Sequence, residues 1–458
     1  MRLRSWGYEK VRSNPYPEER RRIVIGTEHG HSEEHAKEYS EKRSEKKRSF
    51  SVREVFRQGR TEQAEGTEEK KEQGQGEAAE LLHRLIVQAY RHRASDIHLE
   101  PFAHETVVRL RIDGRMVHFA SLRASLHPSL IVRLKILGKM NIAERRIPQD
   151  GHVRMEVEHE GLNLRISTMP TVFGEKAVVR LLSETYVIED ADTFGMRGEN
   201  YRRFRRMLSA PNGLIYLTGP TGSGKTTTMY LALEELSRLP VNVMTIEDPV
   251  EKNLSGISQC QVNPQAGMTF ARGLRGILRQ DPDVIMVGET RDAETAEISV
   301  RAAITGHLVL STLHTNEAAG AITRLKDMGT EPYLLADALT GIVAQRLLRR
   351  LCPDCAETAE AGEAVRKRLG RPIETIRVPS GCPACCNLGY RGRIAVHEVL
   401  LVDPNIREMI VRGAGLEEIR SYAVQEQKMQ TLKEGAADLV EEGITSMEEA
   451  ERVMYAWE

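Results

Sequence analysis

The distribution of apolar and polar positions divides the chain into segments of different character. Before about residue 80, charged residues of both signs crowd the sequence and no apolar period is visible. Such a segment cannot bury enough apolar surface to offset the entropy that ordering costs. We therefore predict a disordered, charged tail over residues 1–79. The alternative for part of this tail is a solvated helix held by charge pairs one turn apart.

A small α/β domain is predicted over residues 80–184, followed by a linker over 185–200. Apolar residues between Leu81 and Ala89 recur at helical spacing. Two alternating segments then indicate strands, and the second ends in Asp113-Gly114, a dipeptide typical of tight turns. The predicted elements are helices near 81–89 and 126–141, and strands near 96–100, 106–112, 162–168 and 176–182.

From Gly213 onwards, short apolar runs alternate with helical stretches. Strands separated by helices indicate a mostly parallel sheet covered on both faces. We predict an α/β core over 201–350, a cysteine-containing element over 351–398 and a helical subdomain over 399–458. The runs predicted to be strands are 214–217, 241–246, 284–287 and 308–313.

Composition narrows the class of protein. Of the 458 residues, 40% are hydrophobic and 29% are charged, which is typical of a globular protein with a wet surface. The net charge of −1 argues against whole-protein attraction to nucleic acid or membrane. No apolar run reaches the ~20 residues of a spanning helix, and the basic start is not followed by an apolar stretch. We therefore expect a cytoplasmic protein.

The strongest motif is Gly219-Pro220-Thr221-Gly222-Ser223-Gly224-Lys225-Thr226. This motif follows an apolar strand and precedes a helix-competent run, the setting of a phosphate-binding loop. Glycines let backbone N–H groups converge on phosphate oxygens beside a helix N-terminus. Lys225 is predicted to reach the β- and γ-phosphates of ATP, and the Thr226 hydroxyl to ligate Mg²⁺. The residues predicted to bind nucleotide are Gly219, Pro220, Thr221, Gly222, Ser223, Gly224, Lys225, Thr226 and Thr227.

Acidic residues follow two of the later predicted strands. Glu247 and Asp248 follow one strand and Glu289 follows another. Ligands bind at the carboxyl ends of strands in open α/β sheets, and Glu289 stands where a base could activate water. The alternative for each acid is a helix cap or a surface charge. His307 and His314 bracket the next strand, where a structural role is the common alternative.

Taken together, these blocks resemble the secretion ATPase superfamily, in its type II secretion, type IV pilus-assembly and competence branch. Residues 245–251 (TIEDPVE) are similar to that family's acidic box, residues 285–289 (IMVGE) to its second acidic motif, and residues 306–316 (GHLVLSTLHTN) to its histidine box. Gly288 stands where ordinary P-loop enzymes carry aspartate, which matches this family. The resemblance implies a RecA-like P-loop ATPase domain that uses ATP and Mg²⁺.

The resemblance also implies roles for individual residues. Glu289 would be the main catalytic carboxylate, and Glu247 would help to position Mg²⁺ or water. His307 would sense the γ-phosphate, and His314 belongs to the same box. Lys225 would stabilise the charge on the transferring phosphoryl group.

Segments of the small domain resemble the family's second N-terminal domain, among them 94–101, 109–114 and 143–151. In the family, arginines at the positions of Arg165 and Arg180 approach ATP from this domain. A guanidinium stays charged and can hold phosphate through two parallel bonds. The alternative is a pair of ordinary strand-surface arginines. The resemblance covers residues 80–458 and leaves out the tail.

Five of the six cysteines lie between Cys352 and Cys386. Cys352 and Cys355 form one Cys-x₂-Cys pair, and Cys382 and Cys385 form another. Two such pairs predict a structural Zn²⁺ site with four thiolates; the alternative is four free thiols. Cys386 is interpreted as a spare beside the site, and Cys260 as a core residue.

The resemblance implies a homohexameric cytoplasmic motor that assembles a type IV pilus, a type II secretion pseudopilus or a competence pseudopilus. Its partner would be an integral membrane platform protein at the inner membrane. The four-cysteine element resembles assembly and secretion ATPases, whereas retraction ATPases generally lack one. The alternatives are a pilus retraction ATPase and a nucleic-acid-dependent P-loop motor. Near-neutral charge and the lack of a basic, aromatic-rich domain argue against the nucleic-acid motor.

Overall fold

A computed structural model describes residues 69–183 and 193–454. The predicted tail lies outside these residues apart from 69–79. Those residues form the start of helix α1 (Glu69–Arg91), so the boundary predicted at residue 80 was too late. The reason is that the buried face of α1 extends back to Ala78, before the first leucine of the apolar pattern.

The small domain is a six-stranded antiparallel sheet with two helices on one face. The strand order is β3-β2-β1-β6-β5-β4. Ile97 and Leu99 of the central strand are fully buried and share a core with Leu85 of α1 and Leu130 of α2. The elements are β1 (Ala94–Pro101), β2 (Glu105–Ile112), β3 (Arg115–Arg123), α2 (His127–Leu137), β4 (Gln149–Val157), β5 (Glu160–Thr171) and β6 (Gly174–Ser183).

The second sheet has seven strands in the order β15-β12-β7-β11-β10-β8-β9. All neighbouring pairs are parallel except β15 with β12, so the predicted parallel sheet is confirmed and carries one antiparallel edge strand. The strands are β7 (Gly213–Thr218), β8 (Val243–Glu247), β9 (Ser258–Gln261), β10 (Val284–Val287), β11 (Leu308–Leu313), β12 (Leu339–Leu351) and, later in the chain, β15 (Tyr390–Leu401).

Helices cover both faces of this sheet. Phe204 and Leu233 represent the core under one face, and Leu274, Val300 and Ile322 represent the core under the other. Successive residues of each strand point to opposite faces of the sheet, and both faces are covered by apolar helix residues. The strands are therefore buried along their whole length. The helices are α3 (Gly198–Leu208), α4 (Lys225–Leu236), α5 (Phe270–Ile277), α6 (Ala293–Ile304), α7 (Ala318–Asp327) and α8 (Pro332–Ala338).

The cysteine segment is an insertion between two paired strands of the main sheet. β12 and β15 pair from Gly341↔Leu401 to Leu351↔Tyr390. The boundaries predicted at 350 and 398 therefore fall inside strands that belong to the core. The insertion contains β13 (Glu357–Glu360), α9 (Glu363–Leu369) and β14 (Thr375–Val378), and the chain continues through α10 (Pro404–Val411), α11 (Leu416–Gln425), α12 (Leu432–Glu441) and α13 (Met447–Met454).

Within residues 69–183 and 193–454, none of the helices is both long enough and apolar enough to cross a membrane.

Candidate nucleotide site and metal centre

The predicted phosphate-binding loop lies between β7 and α4, at the carboxyl edge of the parallel sheet. Gly219 and Gly224 adopt φ of 149° and 88°, values that favour glycine. A Cβ atom at Gly219 would lie 2.5 Å from the Gln345 carbonyl oxygen, and one at Gly224 would lie 2.8 Å from Gln345 Nε2. Glycine is therefore required at both positions by conformation and by close packing against β12.

Lys225 lies over this loop. Its Nζ donates to the carbonyl oxygens of Gly219, at 2.6 Å, and Pro220, at 3.1 Å. Burial, followed by the nearby Arg346 charge, lowers the pKa of Lys225 to about 8. Thr226, the predicted Mg²⁺ ligand, is exposed at the mouth of the loop. The loop thus keeps its ammonium next to the place where phosphates would bind.

Glu289 lies at the centre of a charged cluster beside the loop. One carboxylate oxygen forms an ion pair with Arg291, and Oε2 lies 3.7 Å from His314 Nε2. Arg291 also approaches Asp248, with 3.9 Å between Nη1 and Oδ2. Burial and the Lys225 charge lower the pKa of His314, so its imidazole is neutral near pH 7. The structure thus brings Glu289 and His314 together as predicted strand-end groups.

Glu247 has a different environment. Its side chain is buried, and both oxygens accept hydrogen bonds: from Thr245 Oγ1 at 2.6 Å, from Gln259 Nε2 at 3.0 Å and from the Tyr230 hydroxyl. Tyr230 belongs to α4, so Glu247 links the helix that follows the loop to the acidic box. The metal- or water-positioning role of Glu247 stays a prediction.

His307 lies at the other edge of the sheet. It precedes β11, whose first residue pairs with Gly213 and whose last pairs with Thr218. A strand of that length spans about 20 Å at ~3.3 Å per residue, and His307 Nδ1 instead lies 2.9 Å from the Ala302 carbonyl oxygen. The γ-phosphate role predicted for His307 therefore does not fit the loop of the same chain. The histidine at the carboxyl end of the strand is His314.

Arg165 and Arg180 are register partners on β5 and β6. Arg165 reaches the acidic box, with Nη2 3.3 Å from Glu251 Oε2. Arg180 Nε donates instead to Asp96 Oδ1 at 3.0 Å, and the Arg180 side chain is 59% exposed. Of these two arginines, Arg165 is the one that contacts the acidic box of the same chain.

Sequence reasoning missed several residues of this site. Gln345 and Arg346 contact the loop from β12, and Tyr230 fixes Glu247. Gln345 and Arg346 lie on a strand without a recognisable binding motif, and Tyr230 lies in α4 beyond the end of the phosphate-binding motif. Arg291 could have been found, because it lies two residues after Glu289 and a cation there can pair with a strand-end carboxylate.

The four predicted zinc ligands are close together. The sulfur atoms of Cys352, Cys355, Cys382 and Cys385 all lie within 4.8 Å of one another. Three Sγ–Sγ distances are 3.9, 3.8 and 3.7 Å. Tetrahedral Zn²⁺ with Zn–S bonds of about 2.3 Å places its sulfurs about 3.8 Å apart, so the cysteines fit Zn²⁺.

Backbone groups around the cluster also suit a metal thiolate. The N–H groups of Gly381, Cys382 and Gly389 each donate to a cluster sulfur at 3.2 Å. Such hydrogen bonds stabilise thiolate charge and orient the ligands. Cys386 lies outside the set of four, and Cys260 is only partly buried, on the edge strand β9.

A mostly parallel sheet with a glycine-rich loop and strand-end carboxylates at its carboxyl edge is the architecture of P-loop nucleotide-binding proteins. The chain belongs to the Type II/IV secretion system protein family, whose model matches residues 71–452. It is 46% identical over 377 residues to the type II secretion system ATPase E of Vibrio cholerae, a match that covers 81% of this chain and 74% of the relative. Identity to the type IV pilus assembly ATPase PilB of Thermus thermophilus is also 46% over 377 residues, covering 81% of this chain and 42% of PilB.

Solved structures agree with this fold. The pilus retraction motor PilT with bound ADP superimposes with a TM-score of 0.56 at 27% identity, covering 81% of this chain and 96% of PilT. The ATPase DotB of Legionella pneumophila superimposes with a TM-score of 0.61 at 22% identity, covering 82% and 95%, which bears on the fold alone. The predicted α/β class, with a small domain ahead of a P-loop domain, is confirmed.

Proposed function

We propose that this chain is an ATP hydrolase that drives assembly of a type IV pilus or of a type II secretion or competence pseudopilus. The observation that carries the proposal is the convergence of Lys225, Glu289 and His314 beside a glycine-rich loop. Relatives of both kinds, the secretion ATPase and the pilus assembly ATPase, are equally similar to this chain. The two relatives support a pilus and a secretion pseudopilus, and the competence pseudopilus is included on the sequence resemblance alone.

The residues of the site divide the chemistry of hydrolysis between them. Loop N–H groups and Lys225 bind the phosphates, and Lys225 exchanges its bonds to Gly219 and Pro220 for phosphate oxygens. Thr226 holds Mg²⁺, which would neutralise phosphate charge. Glu289 accepts a proton from the attacking water, and His314 donates a hydrogen bond at the γ-phosphate side of Glu289.

In this proposal, Arg165 and Arg180 of the small domain contact the phosphates of bound ATP. Arg165 is 34% exposed and lies against Glu251 at the edge of the site, so a bound phosphate could compete for its guanidinium. Arg180 lies beside Arg165 on the same sheet face and could act on its own nucleotide or on that of a neighbouring subunit. Closure of the small domain on ATP and release after hydrolysis would provide the stroke.

The remaining parts of the proposal concern assembly and location. We propose a homohexamer in the cytoplasm that works against an integral membrane platform protein, with Zn²⁺ holding the cysteine insertion in shape. The four-cysteine cluster and the 46% identity to assembly and secretion ATPases favour assembly over retraction. Retraction remains the alternative because PilT shares the fold at 27% identity.

A purified-protein assay tests the enzymatic proposal. The full chain should release phosphate from MgATP, and Lys225→Ala should abolish the release. Lys367→Ala, on the exposed face of the insertion, is the matched control and should keep the parental rate. Phosphate release that persists in Lys225→Ala, or an inactive parent, would overturn the proposal. Added DNA should not change the rate; strong stimulation would favour a nucleic-acid motor.

A further inference from the structure

Two adjacent residues of β12 contact the phosphate-binding loop from behind. β12 runs parallel to β7, and Ala344 pairs with Thr218, the last residue before the loop. The next two residues, Gln345 and Arg346, therefore lie alongside the start of the loop. Successive strand residues point to opposite faces, so the two side chains reach different parts of the site.

Gln345 holds the loop to the first turn of α4. Its side chain is 2% exposed. Nε2 donates to the Ser223 carbonyl oxygen at 2.9 Å, and Oε1 accepts from Thr228 Oγ1 at 2.9 Å. A buried amide with both ends satisfied in this way prescribes the distance between Ser223 in the loop and Thr228 in the helix.

Arg346 joins β12 to the segment that follows His314, beside the phosphate-binding loop. Nη1 donates to the Gln345 carbonyl oxygen at 3.0 Å, and Nη2 donates to the Asn316 carbonyl oxygen at 2.7 Å. The same Nη1 lies 3.1 Å from where a Cβ of Gly219 would be. Asn316 is two residues beyond His314, so the guanidinium joins β12 to the segment that carries the histidine and lies beside the first residue of the loop.

A second link runs parallel to this one. Thr218 Oγ1 accepts from the Thr315 backbone N–H at 2.8 Å and lies 2.7 Å from Thr315 Oγ1. The threonines join β7 to β11, and Arg346 adds β12, so the ends of three strands are connected. These links fix the positions of the loop and the histidine segment relative to each other. Such positions matter for catalysis, because a misplacement of reacting groups by about 1 Å can lower the rate ~10²-fold.

We propose that Gln345 and Arg346 are positioning residues for ATP hydrolysis: Gln345 sets the shape of the phosphate-binding loop, and Arg346 sets the position of His314 and Glu289 relative to that loop. This inference rests on the proposed function. Gln345 acts through the phosphate-binding loop, and Arg346 acts through the segment that carries His314. The two residues should therefore affect different steps. Gln345 should matter for nucleotide binding, and Arg346 should matter for turnover.

The test uses four variants of the full chain. Gln345→Glu keeps the shape of the side chain but turns an oxygen, instead of a donor, towards the Ser223 carbonyl. Arg346→Lys keeps the charge but loses the rigid planar fork that places Nη1 and Nη2 on two different carbonyl oxygens. Thr445→Val is the control for loss of a buried hydrogen bond to β12, because Thr445 Oγ1 donates to Arg349 O at 2.8 Å away from the loop. Arg407→Lys is the control for arginine substitution, on α10.

Two quantities are measured on each variant: the Kd of a fluorescent, non-hydrolysable ATP analogue, and the kcat and KM for MgATP. We expect Gln345→Glu to raise the analogue Kd by about tenfold. We expect Arg346→Lys to lower kcat by about tenfold with the analogue Kd within about threefold of the parental value. Melting temperatures show whether each variant is folded, and both controls should match the parent.

Three results would overturn the inference. The parental kcat in Arg346→Lys would show that only the charge matters, and the parental Kd in Gln345→Glu would show that the loop keeps its shape without the amide. Equal losses in Thr445→Val would show a general loss of stability. An inactive parent would instead refute the proposed function, and the binding measurements on Gln345→Glu would still decide the part that concerns the loop.

Discussion

His314 Nε2 lies 3.7 Å from Glu289 Oε2, although the two residues follow different strands. The neighbouring order of β10 and β11 in the sheet creates this proximity, since parallel neighbours end at the same edge. Arg291 pairs with the other carboxylate oxygen. Glu289 thus lies between two nitrogen groups at the end of β10, at a place where a carboxylate could accept a proton from water.

Replacing Glu289 by Gln should separate binding from hydrolysis. The amide keeps the shape of the side chain but cannot accept a proton, so we expect kcat to fall by ~10²-fold or more, with ATP still bound. The measurement is phosphate release together with ATP binding by calorimetry. Glu297→Gln, an exposed acid on α6 paired with Arg301, is the matched control. Parental turnover in Glu289→Gln, with a loss in Glu247→Gln instead, would assign the main role to Glu247.

The two histidines of the same motif should behave differently. His314 lies beside Glu289, and His307 lies at the opposite edge of the sheet. We expect His314→Ala to lower kcat by about tenfold or more through loss of a positioned hydrogen bond, and His307→Ala to stay within about twofold. The rates are compared well below the melting temperature of each variant. The reverse order of effects would restore the role that the motif alone suggested for His307.

The two small-domain arginines, Arg165 and Arg180, should differ in their effect on ATP turnover. Arg165 contacts the acidic box, whereas Arg180 is bound to Asp96 within its own sheet. We expect Arg165→Ala to lower ATP turnover by about tenfold. The half-buried Arg133 on α2, away from the acidic box, provides a control, as Arg133→Ala. Because the Arg180 side chain is largely exposed and could reach a neighbouring subunit, Arg180→Ala should lower turnover only under conditions in which the protein assembles. Unchanged rates in both variants would mean that the small domain takes no part in the reaction.

Much of this fold could be predicted because local chemistry and the global fold agree. The apolar runs at 214–217 and 308–313 are strands whose every residue is buried, so their composition alone indicates them. Strand β4 was missed because its residues alternate only between exposed and half-exposed positions until Val157. Its apolar period is short, because only Val153, Met155 and Val157 alternate with polar residues.

Site residues that belong to a sequence motif could be predicted, whereas those that reach the site through tertiary packing could not. The glycine-rich loop identifies its own residues, because the backbone conformation and phosphate binding both demand them. Gln345 acts through contacts between residues more than 100 positions apart, with Ser223 and Thr228. The γ-phosphate role of His307 came from the resemblance of the motif, whereas the chain direction places His314 at the carboxyl end of β11.

The metal prediction concerns stability of the insertion. One Zn²⁺ per chain should be found after purification, and Cys382→Ser with Cys385→Ser should remove it. Cys386, directly after these ligands, and Gly392 of β15 contact the small domain: Cys386 Sγ lies 3.1 Å from His92 Nδ1, and the Gly392 N–H donates to Asp113 Oδ2 at 2.9 Å. Loss of the metal should therefore increase proteolysis of the insertion and weaken these contacts.

The control for the double variant is Cys260→Ser, which changes a thiol outside the cluster. ATP binding should persist in both proteins, because a zinc with four thiolates has no open position for substrate. The assay pairs metal analysis with limited proteolysis and with fibre assembly in cells. A protein that contains only traces of zinc, and that works normally without these cysteines, would refute the metal site and the main ground for favouring assembly over retraction.

Binding of ATP should take up a proton above about pH 8. Burial lowers the pKa of Lys225 to about 8 in the nucleotide-free site, so the amine is mostly neutral at pH ~9, below the ordinary lysine value of about 10.4. Bound phosphates favour the ammonium form, and ATP itself is fully ionised at this pH. Proton uptake should therefore approach one per site near pH 9 and vanish near pH 7, and affinity should fall as pH rises through 8. Calorimetry of ATP binding to Glu289→Gln, in two buffers with different ionisation enthalpies, measures the uptake. Adding Lys225→Arg should abolish the uptake because a guanidinium stays protonated throughout; uptake that persists in that variant would assign the proton to another group.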